Sequence, residues 1–421
     1  MCFLSSRRMS MGCHHHRHPI QCIIPPHMLD SMKENGDEDV QKAIEEIELY
    51  SDELRSQRHD TTDDMAWGFV EGLFAVEGGV FAGPQTGLNR RVYNAEESTD
   101  LQKTLARSEG EDPHSDDAVN EAYDGAGATY NFFKESYNRD SLDNKGLPLV
   151  SSVHVRRKYN NAFWNGSQMA YGDGDGRIFT RFTQSLTVIG HELSHGVVQF
   201  SGGLTYRGQS GALNEHIADV FGVLTHQHKH NQQAKASDWL VGKEILAKGI
   251  KGDALRSMKS PGSAYNDPLL GKDPQPKHME QYVNTSRDNG GVHINSGIPN
   301  HAFFLLCMEL GGYAWQVPGT IWYNALQELN NSSATFDEWA ERTVQTAGKL
   351  HGAGSTEEKA VRNAWKGVGL LTPEARTPTS VSTPTETSAP TEATAIAPTE
   401  APKKKGFWAW LWGLFGFGDK S

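Results

Sequence analysis

The stretch HELSHGVVQF, residues 191–200, determines how the rest of the chain is interpreted. On a helix, His191 and His195 project from the same face one turn apart, so both imidazoles can reach one metal ion. Zinc binds imidazole nitrogen well, and Glu192 lies close enough to take a proton from a zinc-bound water. Apolar residues around the histidines favour a helix over 186–201. The stretch therefore predicts a catalytic zinc site; a surface helix with two solvated histidines is the alternative.

A second stretch, SGALNEHIADVFG (210–222), supplies the third ligand that a catalytic zinc site needs. Glu215 lies 20 residues after His195, and the Gly-rich loop between them can fold a second helix back against the first. Asp219 follows Glu215 by one helical turn on the same face, and we expect it to accept a hydrogen bond from a zinc-binding histidine. A solvated acidic face is the alternative, and the apolar neighbours of both carboxylates argue against it.

Composition excludes several classes of function. The chain has 421 residues and a formal net charge of −12, and its basic residues are scattered apart from Lys403–Lys405. Nucleic acid binding needs a cationic surface, so we expect no nucleic acid partner. Four cysteines, three of them in the first 22 residues, are too unevenly placed for a disulfide framework and predict reduced thiols. No apolar run reaches the roughly 20 residues of a membrane-spanning helix, and none at the N-terminus has signal-peptide length.

The character of the sequence changes several times along the chain. Residues 31–58 carry apolar residues at helical spacing among many charges, which predicts one amphipathic helix or two. We expect six segments: 1–58, irregular and then helical; 59–88, a variable Gly-rich connector; 89–185, a β-rich lobe; 186–371, a helical lobe; 372–405, a disordered Thr/Pro-rich linker; and 406–421, an aromatic tail. Within the lobes we expect β-structure near 100–108 and 147–156, a hairpin-like turn at GDGDG, and helices at 117–137, 186–201, 212–230, 296–312 and 335–349.

The end of the chain reads KKKGFWAWLWGLFGFGDKS (403–421). It is too short to cross a bilayer as a helix. Its aromatic residues and lysines predict contact with a membrane surface or a protein partner. The alternative is a hydrophobic tail that folds back onto the body of the protein.

Five stretches, in order along the chain, resemble the thermolysin family of zinc endopeptidases. They are NNAFWNGSQMAYGDGDG (160–176), HELSHGVVQ (191–199), GALNEHIADVFG (211–222), LRSM (255–258) and DNGGVHINSGIPNHAF (288–303). The resemblance extends from about Arg90 to Leu371. It implies an α+β fold with a β-rich N-terminal lobe, a mainly helical C-terminal lobe and the zinc helix between them.

The resemblance also implies roles for individual residues. One catalytic zinc ion would be bound by His191, His195 and Glu215, with Glu192 as the general base. The other implied roles concern the transition state and the substrate: His293, oriented by Asp288, and Tyr206 stabilise the oxyanion, Arg256 binds the substrate carbonyl, and Asn161 and Ala162 hold the peptide backbone like an added strand. Metal-activated water and oxyanion donors of this kind are what peptide hydrolysis requires.

Four apolar positions in the resemblance would line the first pocket beyond the scissile bond: Phe179, Phe182, Val188 and Leu255. Cleavage before a bulky hydrophobic residue follows as a hypothesis. Each of the four, taken alone, is also typical of an ordinary core residue.

The segment CIIPPHML (22–29), followed by an acidic helix, resembles the short pro-segment of the protealysin branch of this family. Residues 1–58 would then be the pro-segment of a precursor, with Pro25 and Pro26 stiffening an extended strand. A thiolate is a soft zinc ligand, and a catalytic zinc ion has an open position. We hypothesise that Cys22 takes that position and keeps the precursor inactive; an inert cysteine beside two isoleucines is the alternative.

The family pattern also includes a double calcium site. Its carboxylates would lie four residues before the first zinc histidine, eleven after the third ligand, and just beyond an Asp-Trp pair. This chain has Thr187, His226 and Lys243 at those places. Calcium needs several oxygen ligands, so we predict that the double site is absent and leave other calcium binding open.

The sequence thus predicts a zinc metalloendopeptidase that cleaves internal bonds of a peptide or protein and is made as a precursor. We expect a monomer. The N-terminus favours synthesis in the cytoplasm, whereas the resemblance favours action outside the cell after secretion by a non-classical route; a cytoplasmic enzyme is the alternative. An inactive, zinc-dependent peptide-binding protein is a second alternative, against which the presence of Glu192 and His293 argues.

Overall fold

The chain is described by a computed structural model over residues 21–60 and 87–371, and this part has the predicted α+β fold. Its helices are α1 Pro26–Asn35, α2 Glu38–Asp60, α3 Asp117–Tyr137, α4 Leu186–Gln199, α5 Gly208–Lys229, α6 Asp288–Asn295, α7 Gly297–Leu310, α8 Val317–Gln327, α9 Phe336–His351 and α10 Thr356–Gly367. Its strands are β1 Gln21–Cys22, β2 Arg90–Asn94, β3 Thr104–Ser108, β4 Leu149–Val153, β5 Ala162–Trp164, β6 Met169–Tyr171, β7 Leu240–Val241, β8 Arg256–Ser257, β9 Asn266–Asp267 and β10 Gly271–Lys272.

The main sheet has six strands in the order β1-β5-β6-β4-β2-β3. Strand β4 runs parallel to both of its neighbours, and the other pairs are antiparallel. Every residue of β4 is buried, as expected for a central strand covered on both faces. The edge of the sheet next to β5 is occupied by β1, so the N-terminal segment of the chain completes the sheet.

Helix α3 connects the sheet to the helical lobe. Asp116 caps its N-terminus by accepting a hydrogen bond from the backbone N–H of Ala118, and the chain leaves the helix at Asn138 in a left-handed conformation. The helix packs against β2, β4 and α4. A Cβ added to Gly125 would lie 2.4 Å from Ile189 of α4, so the absence of a side chain lets these two helices approach closely.

Helices α4 and α5 cross at a point of very close approach, and the HELSH stretch lies there. A Cβ added to Gly222 would lie 2.7 Å from the carbonyl oxygen of Thr187 and 2.9 Å from the backbone nitrogen of His191. A Cβ added to Gly190 would lie 3.0 Å from the Cα of Gly222. The two glycines therefore bring the helix backbones together and place His191 directly against α5.

The helical lobe contains a buried tryptophan cluster. Trp322 of α8 stacks on Trp365 of α10, with ring centroids 5.9 Å apart, and meets Trp339 of α9 edge-on. The indole N–H of Trp322 donates to His216 of α5, and that of Trp365 donates to Thr343. A buried ring with a satisfied N–H group is strongly stabilising, so the bond from Trp322 to His216 helps to fix α5 in the lobe.

The structure corrects some of the predicted helices. For residues 31–58 the sequence allowed one helix or two, and the structure has two, α1 and α2. They are separated at Gly36, where a Cβ would lie 2.5 Å from the carbonyl oxygen of Met32. Helices α6, α8 and α10 are additional to those predicted. Helix α8 has Pro318 and Gly319 in its first turn, and both residue types indicate a loop when only the sequence is considered.

Two expectations for the strands are also corrected. The β-structure expected from residue 100 begins only at Thr104. The hairpin turn expected at GDGDG is wrong, because the hairpin β5–β6 turns at 165–168. There the side chain of Asn165 accepts hydrogen bonds from the backbone N–H groups of Ser167 and Gln168.

Several expected segments fall outside the described residues. They are the histidine-rich start, most of the connector 59–88, the linker 372–405 and the tail 406–421. Within residues 21–60 and 87–371, the structure has no helix that is both long and apolar enough to span a bilayer.

Candidate active site

Two neighbouring helices carry the three predicted zinc ligands. His191 and His195 lie one turn apart on α4, and Glu215 lies on α5. The Nε2 atoms of the two histidines are 3.0 Å apart, and oxygens of Glu215 lie 3.5 Å from His191 Nε2 and 3.4 Å from His195 Nε2. One ligand atom from each residue lies within 4.8 Å of the others, and all three side chains are buried. Among the described residues, no other group of three has this arrangement.

Each ligand histidine is oriented through its other ring nitrogen. His191 Nδ1 lies 2.8 Å from Asp219 Oδ1, as the sequence predicted, and His195 Nδ1 lies 2.8 Å from Asn214 Oδ1. The amide of Asn214 is itself fixed, because its Nδ2 donates to the carbonyl of Leu204. Donation from Nδ1 leaves the Nε2 lone pairs for a metal ion. Sequence reasoning missed Asn214, for which the only signal was its place directly before the third ligand.

Asp219 lies in a buried network that joins the predicted zinc ligand His191 to Arg256, a predicted substrate-binding residue. Arg256 of β8 donates three hydrogen bonds to its carboxylate, at 2.8 to 3.1 Å, and Asn300 of α7 donates one at 2.9 Å. Burial alone would raise the pKa of Asp219, but Arg256 and His191 hold it well below its ordinary value. Moving either Asp219 or Arg256 away would leave the other as an uncompensated buried charge, so the ion pair fixes the positions of both side chains. Asn300 was not singled out from the sequence.

The electrostatics of the ligand group suit a cation. Burial lowers the pKa of His195 to about 3, so this imidazole is neutral and offers a lone pair. Burial alone would raise the pKa of Glu215, but the neighbouring imidazoles hold it below its ordinary value. Among the described residues, Glu215 Oε2 and Glu192 Oε1 are buried oxygens without a hydrogen-bond partner. A neutral imidazole at His195 beside carboxylate oxygens in need of a partner fits a zinc ion.

Glu192 lies between the two ligand histidines along α4 and is fully buried. Its Oε2 accepts a hydrogen bond of 2.9 Å from the backbone N–H of Trp164 in β5. Burial, together with the charge of Glu215, raises the pKa of Glu192 well above its ordinary value. A carboxylate with a raised pKa takes up a proton more readily than a solvated one, which is what activation of water requires.

His293 and Tyr206 meet beside Glu215. The Tyr206 hydroxyl donates to Glu215 Oε1 and lies 3.2 Å from His293 Nε2. Asp288 binds His293 twice: its Oδ1 lies 2.6 Å from Nδ1, and its Oδ2 accepts from the backbone N–H at 2.9 Å. Burial opposes a charged imidazole, but Asp288 raises the pKa of His293 to about 9. The two side chains can therefore donate hydrogen bonds to an oxygen that gains negative charge.

A left-handed bend places Asp288 against His293. The φ angles of Asp288, Asn289, Gly290 and Gly291 are 52°, 49°, 91° and 77°. Left-handed backbone costs an ordinary residue roughly 1–2 kcal/mol, and glycine, asparagine and aspartate tolerate it best. The sequence DNGG is therefore suited to this bend. From the sequence alone it resembles an ordinary loop, although the bend fixes the position of His293.

The N-terminal segment occupies the cleft as an added strand. Strand β1 pairs antiparallel with β5, with Gln21 opposite Trp164 and Cys22 opposite Phe163. The two residues after β1 continue the contact: the N–H of Ile23 donates to the carbonyl of Ala162 at 3.1 Å, and the N–H of Ile24 donates to Asn161 Oδ1 at 3.2 Å. The residues predicted to hold a substrate backbone therefore hold the backbone of this segment.

The remaining predicted substrate contacts also go to this segment. His293 Nε2 lies 3.2 Å from the carbonyl oxygen of Cys22, and Arg256 donates to the carbonyl oxygen of Ile23 at 3.3 Å. The thiol of Cys22 is not in the group of side chains that could share a metal ion. In this structure the backbone carbonyl of Cys22 lies beside His293, a residue predicted to be catalytic.

The four predicted pocket residues are all buried: Phe179, Phe182, Val188 and Leu255. The rings of Phe179 and Phe182 lie 5.7 Å apart. Ile23, whose carbonyl contacts Arg256, is fully buried as well. The assignment of the four residues to one substrate pocket stays a prediction.

The three residues at the places of the family's double calcium site each contact another residue of this chain. Thr187 Oγ1 accepts from the backbone N–H of Gly242 at 2.9 Å, and the ammonium of Lys243 lies 3.0 Å from Asp238 Oδ2. His226 lies beside another histidine, His230, with ring centroids 4.3 Å apart. The predicted absence of calcium from this region stays a prediction.

Comparisons with known proteins agree on one family. A family model described as "Thermolysin metallopeptidase, catalytic domain" matches residues 84–199, and one described as "Thermolysin metallopeptidase, alpha-helical domain" matches residues 202–370. "Protease PrtS" of Photorhabdus sp. (strain Az29) is 52% identical over 290 residues, which are 68% of this chain and 78% of the relative. "Extracellular metalloprotease" of Pectobacterium carotovorum subsp. carotovorum is 43% identical over 353 residues, which are 84% of this chain and 97% of the relative.

A solved structure is similar over nearly its whole length. It is described as "Precursor of Protealysin, Metalloproteinase from Serratia proteamaculans". The TM-score is 0.71 and the sequence identity 44%, over 83% of this chain and 99% of that chain.

Proposed function

The chain belongs to the thermolysin metallopeptidase family, in its protealysin-like branch, and we propose that it is a zinc endopeptidase held inactive by its own N-terminal segment. The observation that carries the proposal is the buried group of His191, His195 and Glu215, with the free oxygen of Glu192 beside it. A protein that only bound zinc would have no use for a buried base at this place.

The proposed chemistry assigns one task to each side chain. A zinc ion held by the three ligands would polarise the scissile carbonyl and make a water molecule acidic near neutral pH. Glu192 would take the proton of that water and deliver it to the leaving nitrogen. His293 and Tyr206 would donate hydrogen bonds to the carbonyl oxygen as it gains charge, and one such donor can contribute about 3 kcal/mol.

Substrate binding would use the edge of β5. Asn161, Ala162 and Arg256 would hold the backbone of an extended peptide, as they hold residues 22–24 in this structure. The complete burial of Ile23, just beyond the carbonyl that faces His293, supports a preference for a bulky apolar residue after the scissile bond. Peptides and proteins are thus the substrates.

Inhibition would follow from occupation of the same edge. The segment is held mainly by apolar side chains of α1 and α2 that join the core shared with the sheet: Met28, Met32, Val40, Ile44, Ile47 and Tyr50. Ion pairs at its rim contribute little individually, because exposed pairs contribute roughly 0–1 kcal/mol. Because the segment occupies the strand edge that a substrate would use, a substrate can bind only when the segment leaves. This form of inhibition needs only the backbone of Cys22, and the thiol switch stays a separate prediction.

The proposal is tested with an internally quenched peptide that has a central Gly-Leu bond. Limited proteolysis is used to remove residues 1–58, and we call the product the trimmed enzyme. The trimmed enzyme should cut the peptide. A zinc chelator should abolish cleavage and added zinc should restore it, whereas the full chain should cut slowly. Cleavage that persists in the chelator would exclude the zinc mechanism. A zinc-loaded trimmed enzyme that binds the peptide without cutting it would instead be a peptide-binding protein.

Location and partners rest on the relatives. One relative is named an extracellular metalloprotease, and we propose that this chain also acts outside the cell. Membrane or protein contact through residues 403–421 and a monomeric state stay predictions.

A further inference from the structure

The N-terminal segment lies in the cleft in a register that selects one of its own peptide bonds. The carbonyl oxygen of Cys22 lies 3.2 Å from Nε2 of His293. The next nitrogen, that of Ile23, donates to the carbonyl of Ala162 at 3.1 Å, and the carbonyl of Ile23 accepts from Arg256 at 3.3 Å. The bond between Cys22 and Ile23 thus has its carbonyl at the oxyanion donor and its nitrogen at the strand edge.

Glu192, the proposed general base, is anchored on the strand that pairs with the segment. The backbone N–H of Trp164 donates to Glu192 Oε2 at 2.9 Å. Trp164 is also the pairing partner of Gln21, which precedes Cys22 in the chain. The strand that aligns the segment therefore also holds Glu192, so the register of β1 on β5 fixes which bond the base can serve.

We propose that the zinc-bound precursor hydrolyses its own peptide bond between Cys22 and Ile23. This inference rests on the proposed endopeptidase function. The carbon–nitrogen bond breaks, and one water molecule is consumed. Its hydroxyl joins the carbonyl carbon of Cys22 to give a carboxylic acid, and its other proton passes through Glu192 to the nitrogen of Ile23 to give an amine. Transfer of the acid's proton to the amine then leaves a carboxylate at Cys22 and an ammonium at Ile23. Water is the only co-reactant, and no oxidation or reduction takes place.

This cut removes residues 1–22 without freeing the cleft. On the far side of the bond, Ile23 and Ile24 are buried, and helix α1 begins three residues after Ile23 with Met28 and Met32 buried in the core. These residues stay covalently attached to the body through α2, and a tethered product rebinds at a high effective concentration. The nicked precursor therefore remains inhibited until the segment beginning at Ile23 is removed as well.

The first experiment follows the full chain after zinc is added. Intact mass and N-terminal sequencing should reveal a new N-terminus at Ile23, with a first-order rate that does not depend on protein concentration. After this cut, the chain should still cleave the quenched peptide only slowly. Ile23→Asp should slow the cut at least about tenfold, because it buries a charge in the aligned register. Leu49→Asp, the same change at a residue of the same segment that is 70% exposed, should leave the rate unchanged.

A second experiment covers the case in which Ile23→Asp releases the whole segment. The trimmed enzyme is given the peptide HPIQCIIPPHML, residues 18–29, and mass spectrometry locates the cut. Binding of the product peptide IIPPHML (23–29) to the trimmed Glu192→Gln protein is measured by fluorescence anisotropy, a readout that needs no catalysis. We expect one cut, between Cys22 and Ile23, and saturable binding of the product.

The outcomes separate the two proposals. If the trimmed enzyme cuts the quenched peptide but neither the chain nor HPIQCIIPPHML is cut between Cys22 and Ile23, the inference is wrong and the endopeptidase function stands. If the chain becomes fully active as soon as Ile23 is its N-terminus, the proposal that the nicked precursor remains inhibited is wrong. A zinc-loaded trimmed enzyme that cuts nothing overturns the proposed function, and this inference with it.

Discussion

Two histidine–carboxylate clusters in this chain are built from the same kinds of side chain and handle charge in opposite ways. In the ligand group of α4 and α5, the imidazoles face each other and Glu215, and a carboxylate oxygen is left without a partner. In the second cluster, which we call the His154 clamp, both nitrogens of His154 are occupied. Nε2 lies 2.7 Å from Asp116 and Nδ1 lies 2.8 Å from Asp173.

Burial and the neighbouring carboxylates together account for the difference. The side chain of His154 is 22% exposed, whereas those of the ligand histidines are fully buried. The hydrogen bond to Asp173 raises the pKa of His154 to about 9, so its imidazolium is itself the cation between two carboxylates. Burial lowers the pKa of His195 to about 3, so this imidazole supplies no positive charge to the ligand group, whereas a metal ion would. Of these two clusters, the one that suits a metal ion is therefore the one whose histidine is kept neutral by burial.

The largest effect is expected from a change beside the ligand group that removes no ligand. Glu192→Gln should lower kcat on the quenched peptide by about 10³-fold, since an amide cannot accept the proton of water. The zinc content of the trimmed enzyme, measured by elemental mass spectrometry, should not change. His154→Gln should alter neither quantity. Loss of zinc together with activity would place Glu192 among the ligands.

The second test weakens the orientation of a ligand. Asp219→Asn should lower zinc affinity about 10- to 100-fold, because the His191 Nδ1 bond loses its carboxylate partner. The same variant leaves Arg256 buried without its counter-charge, so the protein should also be less stable. Zinc affinity is measured by competition with a chromophoric chelator. Asp116→Asn makes the matching change in the His154 clamp and should leave zinc affinity unaltered; equal effects would contradict the distinction between the clusters.

A third test concerns the close helix crossing, which the ligand group needs and the clamp does not. Gly222→Ala puts a Cβ 2.7 Å from the carbonyl oxygen of Thr187, so we expect a loss of about 1–3 kcal/mol in the free energy of unfolding, measured with a denaturant. Gly348→Ala in α9 is the control. There the nearest atom is 3.2 Å away at the end of the flexible Glu358, and no loss is expected. Unchanged stability of Gly222→Ala would show that the crossing can relax.

The same two clusters show what could be predicted from the sequence. The ligand group is local: two histidines one turn apart and a glutamate on the next helix form a pattern that can be recognised along the chain. The clamp is not local. Asp116 caps α3, His154 follows β4 and Asp173 follows β6, and only the parallel pairing of β4 with β6 and the packing of α3 bring them together. Such a cluster has no spacing to recognise.

The predicted helices and turns show the same distinction between local and non-local signals. Helix α3 was predicted over its exact range, because its periodicity and its cap are encoded within the helix itself. The break at Gly36 depends on contact with Met32 and Val40, one in each flanking helix. GDGDG does form a turn, in which Asp175 accepts from the N–H groups of Arg177 and Ile178, but that turn leads away from β6 rather than into the hairpin.

The smallest expected effect, in the His154 clamp, is the one with the most specific pH dependence. A folded pKa of about 9 lies above the ordinary value of 6.5, so the folded protein binds this proton more tightly than the unfolded chain does. The stabilisation is therefore complete below about pH 6.5 and is lost as the pH rises through about 9. His154→Gln should lower the free energy of unfolding by about 1 kcal/mol at pH 6, a value reduced by the partial exposure of the pair. The variant and the original chain should converge near pH 10. His351→Gln, at an exposed histidine, should show no such trend. A difference that stays constant with pH would mean that the clamp stabilises through neutral hydrogen bonds, and that the contrast with the ligand group is not one of charge.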